Sequence, residues 1–213
     1  MNKKYELLKD PIINLYRIRA LKDFSDIKAG TLGGYVENED NLSHDGNAWI
    51  YGNARVCGNA EVYGNAKVCD YAIVYGNAWV YGNAEVCGNA KVYGNTSIYG
   101  DAEVYGNTRV YGNTSIYGDA EVYGNTKVCG DARVYGNACL KTNADYTVIH
   151  GFGSEERTTT FFRCKDGNIR VNCGCFYGTI DEFCYKVHET HGDSKYAKEY
   201  LMIADLMKFH FSE

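Results

Sequence analysis

Residues 84–101 read AEVCGNAKVYGNTSIYGD and residues 102–119 read AEVYGNTRVYGNTSIYGD, identical at fifteen of eighteen positions. Each block divides into three six-residue units of the form [A/T]-x-[V/I]-[Y/C]-G-[N/D]. That unit runs without insertion from Ala48 to Asn143, sixteen times. Repetition of this kind settles the architecture before any other reading. Over its first four positions small or β-branched apolar residues alternate with variable ones, the period-2 sign of a half-buried strand. Gly-Asn or Gly-Asp follows, residues that tolerate positive φ and can turn a corner. The eighteen-residue period laid over the six predicts three strands per coil, with coils stacked at the strand spacing of about 4.8 Å. Sixteen units then make about five coils, a prism roughly 25 Å tall.

The pattern resembles the left-handed β-helix of hexapeptide-repeat proteins, in which an aliphatic residue is followed four places later by a small one. Val56 with Ala60, Val62 with Ala66, and Ile98 with Ala102 fit it. The family's glycine after the aliphatic residue is replaced here by Tyr or Cys, with Gly one place later. Together with Arg17-Ile-Arg-Ala-Leu-Lys-Asp-Phe24 and Lys28-Ala-Gly-Thr-Leu-Gly-Gly-Tyr-Val36, this variant looks like uncharacterised bacterial and prophage hexapeptide-repeat proteins. The fold class implied is an all-β left-handed parallel β-helix, a three-sided prism of 18-residue coils.

A coil stack leaves open strand edges at both ends, which must be covered. Residues 1–41 are expected to form an N-terminal cap, residues 42–144 the β-helix, and residues 145–213 a small α+β C-terminal domain. In that last segment 145–176 reads as strands around the Asp166-Gly167 turn. Thr179-Ile-Asp-Glu182 is a capping box opening a helix to about Glu189, and Asp193 caps a second helix from Ser194 to about His210. Ala197, Tyr200, Leu201, Ala204, Leu206 and Met207 give that helix an apolar stripe, read as core.

With 27 acidic against 22 basic side chains the net charge is 22 − 27 = −5, which argues against a globally basic nucleic-acid binder; no duplex nucleic acid is expected. No apolar run approaches the roughly 18 residues of a membrane span, and the first ten residues lack a signal-peptide apolar region. A cytoplasmic chain with no membrane contact is the expectation. The nine cysteines are an odd number in a long repetitive chain, so they are expected as reduced thiols. Cys69 and Cys87, one coil apart at the outward ladder position, could touch but are expected reduced too. Cys164, Cys173, Cys175 and Cys184 do not have a zinc spacing, and although Cys173 and Cys175 would share one side of a strand, they read as small buried residues. No metal and no cofactor is expected.

The resemblance implies acyltransferase activity first, carried by a histidine on the prism wall acting as general base and by a loop thrown out of a corner. Between Ala48 and Asn143 there is neither histidine nor insertion. His44, in the irregular unit 42–47, and His150 are the surviving candidates for an atypical base. The capping role is the preferred reading of His44. The lack of imidazoles also removes the zinc carbonic anhydrases of this fold. Ice binding fails because Thr96, Thr108, Thr114 and Thr126 occupy the inward position.

Taking every third unit assigns outward residues to three walls. One carries Trp49, Lys67, Glu85, Glu103, Glu121 and Cys139 and is acidic above. The next carries Arg55, Ile73, Lys91, Arg109 and Lys127 and is basic. The third carries Glu61, Trp79, Ser97, Ser115 and Arg133 beside a column of Tyr63, Tyr81, Tyr99, Tyr117 and Tyr135. An acidic wall facing the basic wall of another subunit would close under three-fold symmetry, and the family's usual homotrimer agrees. Alternatively the Lys and Arg row beside tyrosine faces offers phosphate contacts and base-stacking platforms to an anionic small molecule such as a nucleotide. The coil from Ala66 to Asn83 breaks the pattern, and Tyr71, Ile73, Tyr75, Trp79 and Tyr81 are expected to form an apolar patch there beside Arg55, Lys91 and Arg109. The functional expectation is a non-enzymatic trimeric binding protein, in its sharper form phage-encoded, sequestering a host nucleotide signal or blocking a host defence protein. An acyltransferase with an atypical base and a structural scaffold or phage particle component are the alternatives.

Overall fold

A computed structural model describes residues 3–212. Ala48 to Asn143 fold as a parallel β-solenoid. Sixteen two-residue strands, from Trp49–Ile50 to Cys139–Leu140, pair with one another eighteen residues apart, each with the strand one coil before and after it within the repeat. Three parallel sheets result, one per wall, as the 18-residue coil requires. In every unit the first and third residues point inward. Ala60, Val62, Ala102 and Val104 are fully buried, and full burial of each valine contributes about 1.5–3 kcal/mol. Thr96, Thr108, Thr114 and Thr126 are also buried, each donating its hydroxyl to the carbonyl three residues earlier. The inward placement expected of them holds.

Corners are built from positive φ and side-chain ladders. Gly106, at φ 78°, lies so close to the next coil that an added Cβ would meet Gly124 O at 2.8 Å. Beside the glycines, corner Asn side chains donate to the Asn or Asp one coil on, as in Asn59 to Asn77 to Asn95 to Asn113 to Asp131, at 2.8–3.1 Å.

The ends of the stack are finished by opposite chemistries. A strand donates its N–H groups to carbonyls of the following coil, as from Arg55 to Ala72 and from Cys57 to Val74. The foot therefore has spare carbonyls and the crown spare N–H groups. At the foot, donors arrive. Lys4 Nζ donates to Ala48 O at 2.9 Å, Asn41 Nδ2 to Gly58 O and Ala60 O, and the Tyr5 hydroxyl to Leu42 O. At the crown, acceptors arrive. Asn143 Oδ1 accepts from Lys127 N at 2.7 Å, Thr160 Oγ1 from Arg133 N, and the Tyr146 hydroxyl oxygen from Cys129 N.

The N-terminal segment caps the foot by extending the basic wall. Strands Tyr5–Lys9, Tyr16–Ala20 and Leu32–Val36 form an antiparallel meander whose last strand pairs in parallel with Arg55–Val56. The first rung of that wall thus comes from within residues 1–41. Trp49, expected on the outer acidic wall, is instead fully buried, with Phe24 and Tyr5 packed edge-on against its ring. The cap folds over the position that periodicity exposes.

Lys4 is buried in this cap, and burial, aided by nearby Lys22, lowers its pKa from 10.5 to about 8. Between those values the unfolded chain carries a proton that the folded chain has released, so stability attributable to Lys4 rises with pH across the window. The denaturation midpoint of the native chain is expected to climb from pH 8 toward 10.5 relative to Lys4→Met. Parallel profiles for the two proteins would contradict this.

The crown is covered by an antiparallel sheet of Tyr146–Phe152, Arg157–Arg163, Ile169–Cys173 and Phe176–Thr179, followed by helices α1 (Ile180–His191) and α2 (Lys195–His210). Thr179 and Glu182 form the expected capping box on α1. The α2 N-cap is Ser194, one residue beyond the expected Asp193. Alternation splits the sheet between two cores. Phe162 joins the solenoid core, while Phe161 packs with Phe183, Tyr200 and Met207 under the helices. Leu206, expected in the α2 core stripe, is exposed. No helix among the described residues is long and apolar enough to cross a membrane.

Candidate functional site

Strand pairing places Arg55, Ile73, Lys91, Arg109 and Lys127 in consecutive register on one sheet, as sequence periodicity requires. Like charges one strand apart are unfavourable. Among the described residues, none of the four cations has an ion-pair partner. The acidic wall is different. Lys67 Nζ lies 2.7 Å from Glu85 Oε1 and Lys165 Nζ lies 2.7 Å from Glu121 Oε1. Each lysine is held above its ordinary pKa, chiefly by the hydrogen bond to its carboxylate. Glu103 alone on that ladder keeps an unpaired charge among the described residues. Lys165 comes from the C-terminal sheet and has no place in the repeat, so periodicity could not assign it. The two walls are thus unequal: one is compensated within the chain, the other is not.

The tyrosines beside the basic wall are Tyr75, Tyr93 and Tyr111, whose rings stack with centroids 4.8 and 5.1 Å apart. Tyr93 and Tyr111 escape a reading centred on the irregular coil. The third-wall column from Tyr63 to Tyr135 stacks likewise at 4.5–4.8 Å. Desolvation raises the phenol pKa along it, as at Tyr81 and Tyr99. Each interior ring has both faces against its neighbours. The base-stacking platform expected of these columns is therefore unavailable except at their ends.

The expected apolar patch does not assemble on one face. Ile73 and Tyr75 lie on and beside the basic wall, between Arg55 and Lys91. Trp79, 47% exposed, stands on the third wall between Glu61 and Ser97, and Tyr81 belongs to that wall's column. Tyr71, 64% exposed, sits at the corner where the chain leaves the acidic wall. Outward residues six apart along a coil face different walls, so proximity in sequence spreads them round the prism.

Cys69 and Cys87 are bonded as a disulfide, not reduced as expected. Register places them one above the other with Cα atoms 4.6 Å apart. Next to them Asp70 takes a corner glycine's place at φ 61° and accepts from Gly88 N at 2.9 Å. Asp70 and the two sulfurs lie within 4.8 Å of one another, but sulfurs bonded to each other are not thiolate ligands. Closing a loop of eighteen residues restricts the unfolded chain by about 3 kcal/mol. Dithiothreitol is expected to lower the melting temperature of the native protein and leave that of Cys69→Ser/Cys87→Ser unchanged. Cys173 and Cys175 do not share a strand face, because Gly174 (φ 62°) and Cys175 make the turn between the last two strands. Cys175 is exposed rather than buried, while Cys164 is buried as expected.

Both ring nitrogens of His44 are occupied. Nδ1 accepts from Lys4 N at 3.2 Å, Nε2 lies 2.8 Å from Glu39 Oε1, and the ring stacks on Tyr5. An imidazole whose lone pair takes a backbone N–H has none to offer a substrate. His44 sits beside an open cleft of about 960 Å³ at the foot, lined also by Asn38, Asp45 and Tyr63. His150 is exposed on the C-terminal sheet, with Nδ1 3.0 Å from Thr158 Oγ1.

No family model matches the chain. A curated relative, the uncharacterized acetyltransferase YdcK of Escherichia coli (strain K12), is 49% identical over 37 residues, 17% of this chain. The matched stretch spans only 11% of that relative's length. The 18-residue parallel coils and this partial match are consistent with a hexapeptide-repeat β-helix protein. Such β-helix proteins are often trimers. Thirty-seven residues equal about two coils in length.

Proposed function

We propose that this hexapeptide-repeat protein is a non-enzymatic, trimeric binding protein whose basic wall holds an anionic partner. The observation that carries the reading is the uncompensated row of Arg55, Lys91, Arg109 and Lys127. The acidic wall of a second subunit is one occupant, but it brings only Glu103 unpaired and so matches the row in part. An acidic protein surface supplies the rest. It suits a flat ladder better than a nucleotide does, since the flanking rings stack on one another. For a phage-encoded chain, which the prophage resemblance implies, that surface belongs to a host protein. Light scattering at low salt is expected to give a trimer, and poly-glutamate is expected to bind it and be released by salt. A monomer would remove the assembly, and absence of poly-glutamate binding would remove the partner class.

The acetyltransferase reading has the relative's name behind it. It requires acetyl-coenzyme A turnover that falls on substituting His150, the histidine whose surroundings leave a nitrogen free. No turnover is the expected result.

A further inference from the structure

The C-terminal sheet does more than plug the crown. On the face turned toward the coils, Phe162 enters the solenoid core, whereas Thr158, Thr160 and Asn172 continue the same face outward over the third wall. Beneath this overhang lie Asn113, Asp131 and Arg133 of the last coils. With Arg157 and Gly174 they enclose a cleft of about 460 Å³, within the usual range of small-ligand sites. Two guanidiniums against one carboxylate give the lining a charge of 2 − 1 = +1. Arg133 has no ion pair among the described residues, and Arg157 has only Glu155 at 4.0 Å. Asn172 is 4% exposed, and its carboxamide makes no hydrogen bond among the described residues. Thr160, 1% exposed, accepts from Arg133 N but has no acceptor there for its own proton. The Asn172 carboxamide keeps contact with solvent, which a ligand in the cleft would replace.

We propose that this cleft binds a small hydroxylated oxyanion of the sugar phosphate class. Guanidinium forks match a phosphate in geometry and charge. Carboxamides, threonine hydroxyls and Asp131 offer the donors and acceptors that sugar hydroxyls need. The lining has no aromatic ring and no large aliphatic side chain, so a nucleobase finds nothing to stack on. The site is separate from the basic wall and stands or falls independently of it.

The test is calorimetric titration of the full chain with glucose 6-phosphate, inorganic phosphate, glucose and ATP. Concentrations up to about 10 mM would saturate a site with Kd near 1 mM. Glucose 6-phosphate is expected to bind saturably and more tightly than phosphate or glucose. Arg133→Gln and Arg157→Gln should each weaken it about tenfold or more, the worth of one charge-assisted hydrogen bond, with unchanged melting temperature. Lys91→Gln/Arg109→Gln, on the other wall, should leave it unaltered. No binding, equal binding of glucose, tighter binding of ATP, or loss in the basic-wall variant instead of the arginine variants would each overturn the assignment.

Discussion

A chain carrying Val104→Asp is expected to lose its cooperative unfolding transition and become sensitive to protease, whereas Glu103→Gln, one residue earlier, keeps both native properties. Val104 is fully buried and stacked between Val86 and Val122. The interior offers a carboxylate nothing to pair with. Its only nearby hydroxyls belong to threonines, and these already donate to carbonyls within their own units. An unpaired buried charge costs several kcal/mol, a large part of the roughly 5–15 kcal/mol by which a domain is stable. Each coil also supports its neighbours, so a lesion in the middle propagates along the stack. Val104→Ala, which removes two carbons and adds no charge, should cost about 2 kcal/mol and remain cooperative. Circular dichroism and limited proteolysis separate the three variants. A native melting curve for Val104→Asp would mean that the axis is wetter than its packing indicates.

The second large effect concerns the basic wall. Lys91→Glu/Arg109→Glu/Lys127→Glu changes the net charge from −5 to −5 − 6 = −11 and turns three attractions into repulsions. With surface pairs worth up to about 1 kcal/mol each, the swing is on the order of 3 kcal/mol, about a hundredfold in affinity for poly-glutamate. Stability should hardly change, because all three side chains are exposed and one like-charge ladder replaces another. The triple glutamine variant should match or slightly exceed the native melting temperature while still binding weakly. If poly-glutamate binds the triple glutamate variant as it binds the native chain, the wall is not the site.

The prism was legible because each structural decision recurs sixteen times, and strand, corner and wall all follow from one six-residue pattern. The charged walls were legible for the same reason. What escaped is whatever the aperiodic ends contribute. Trp49 obeys the pattern of the acidic wall, yet Phe24 and Tyr5 cover it. Glu121 looks like an unrelieved charge until Lys165 arrives from forty-four residues on. The patch expected around Trp79 does not form, because neighbours along a coil face different walls. Register alone sets Cys69 and Cys87 one above the other, whereas an odd cysteine count in a long repetitive chain points to free thiols. Thr158, Thr160 and Asn172 carry a faint signal, polar residues at alternate positions beside an apolar Phe162, which becomes readable once the sheet's inner face is known.

The opposite finishes of the foot and the crown leave the number of coils between them unconstrained. Removing residues 102–119 would join Asp101 to Ala120 and set Glu121 over Glu85, Lys127 over Lys91 and Arg133 over Ser97, with the donors below and the acceptors above untouched. Such a chain would be shorter by one rise of about 4.8 Å. The distance between the two ends can thus be reset in fixed steps of one coil.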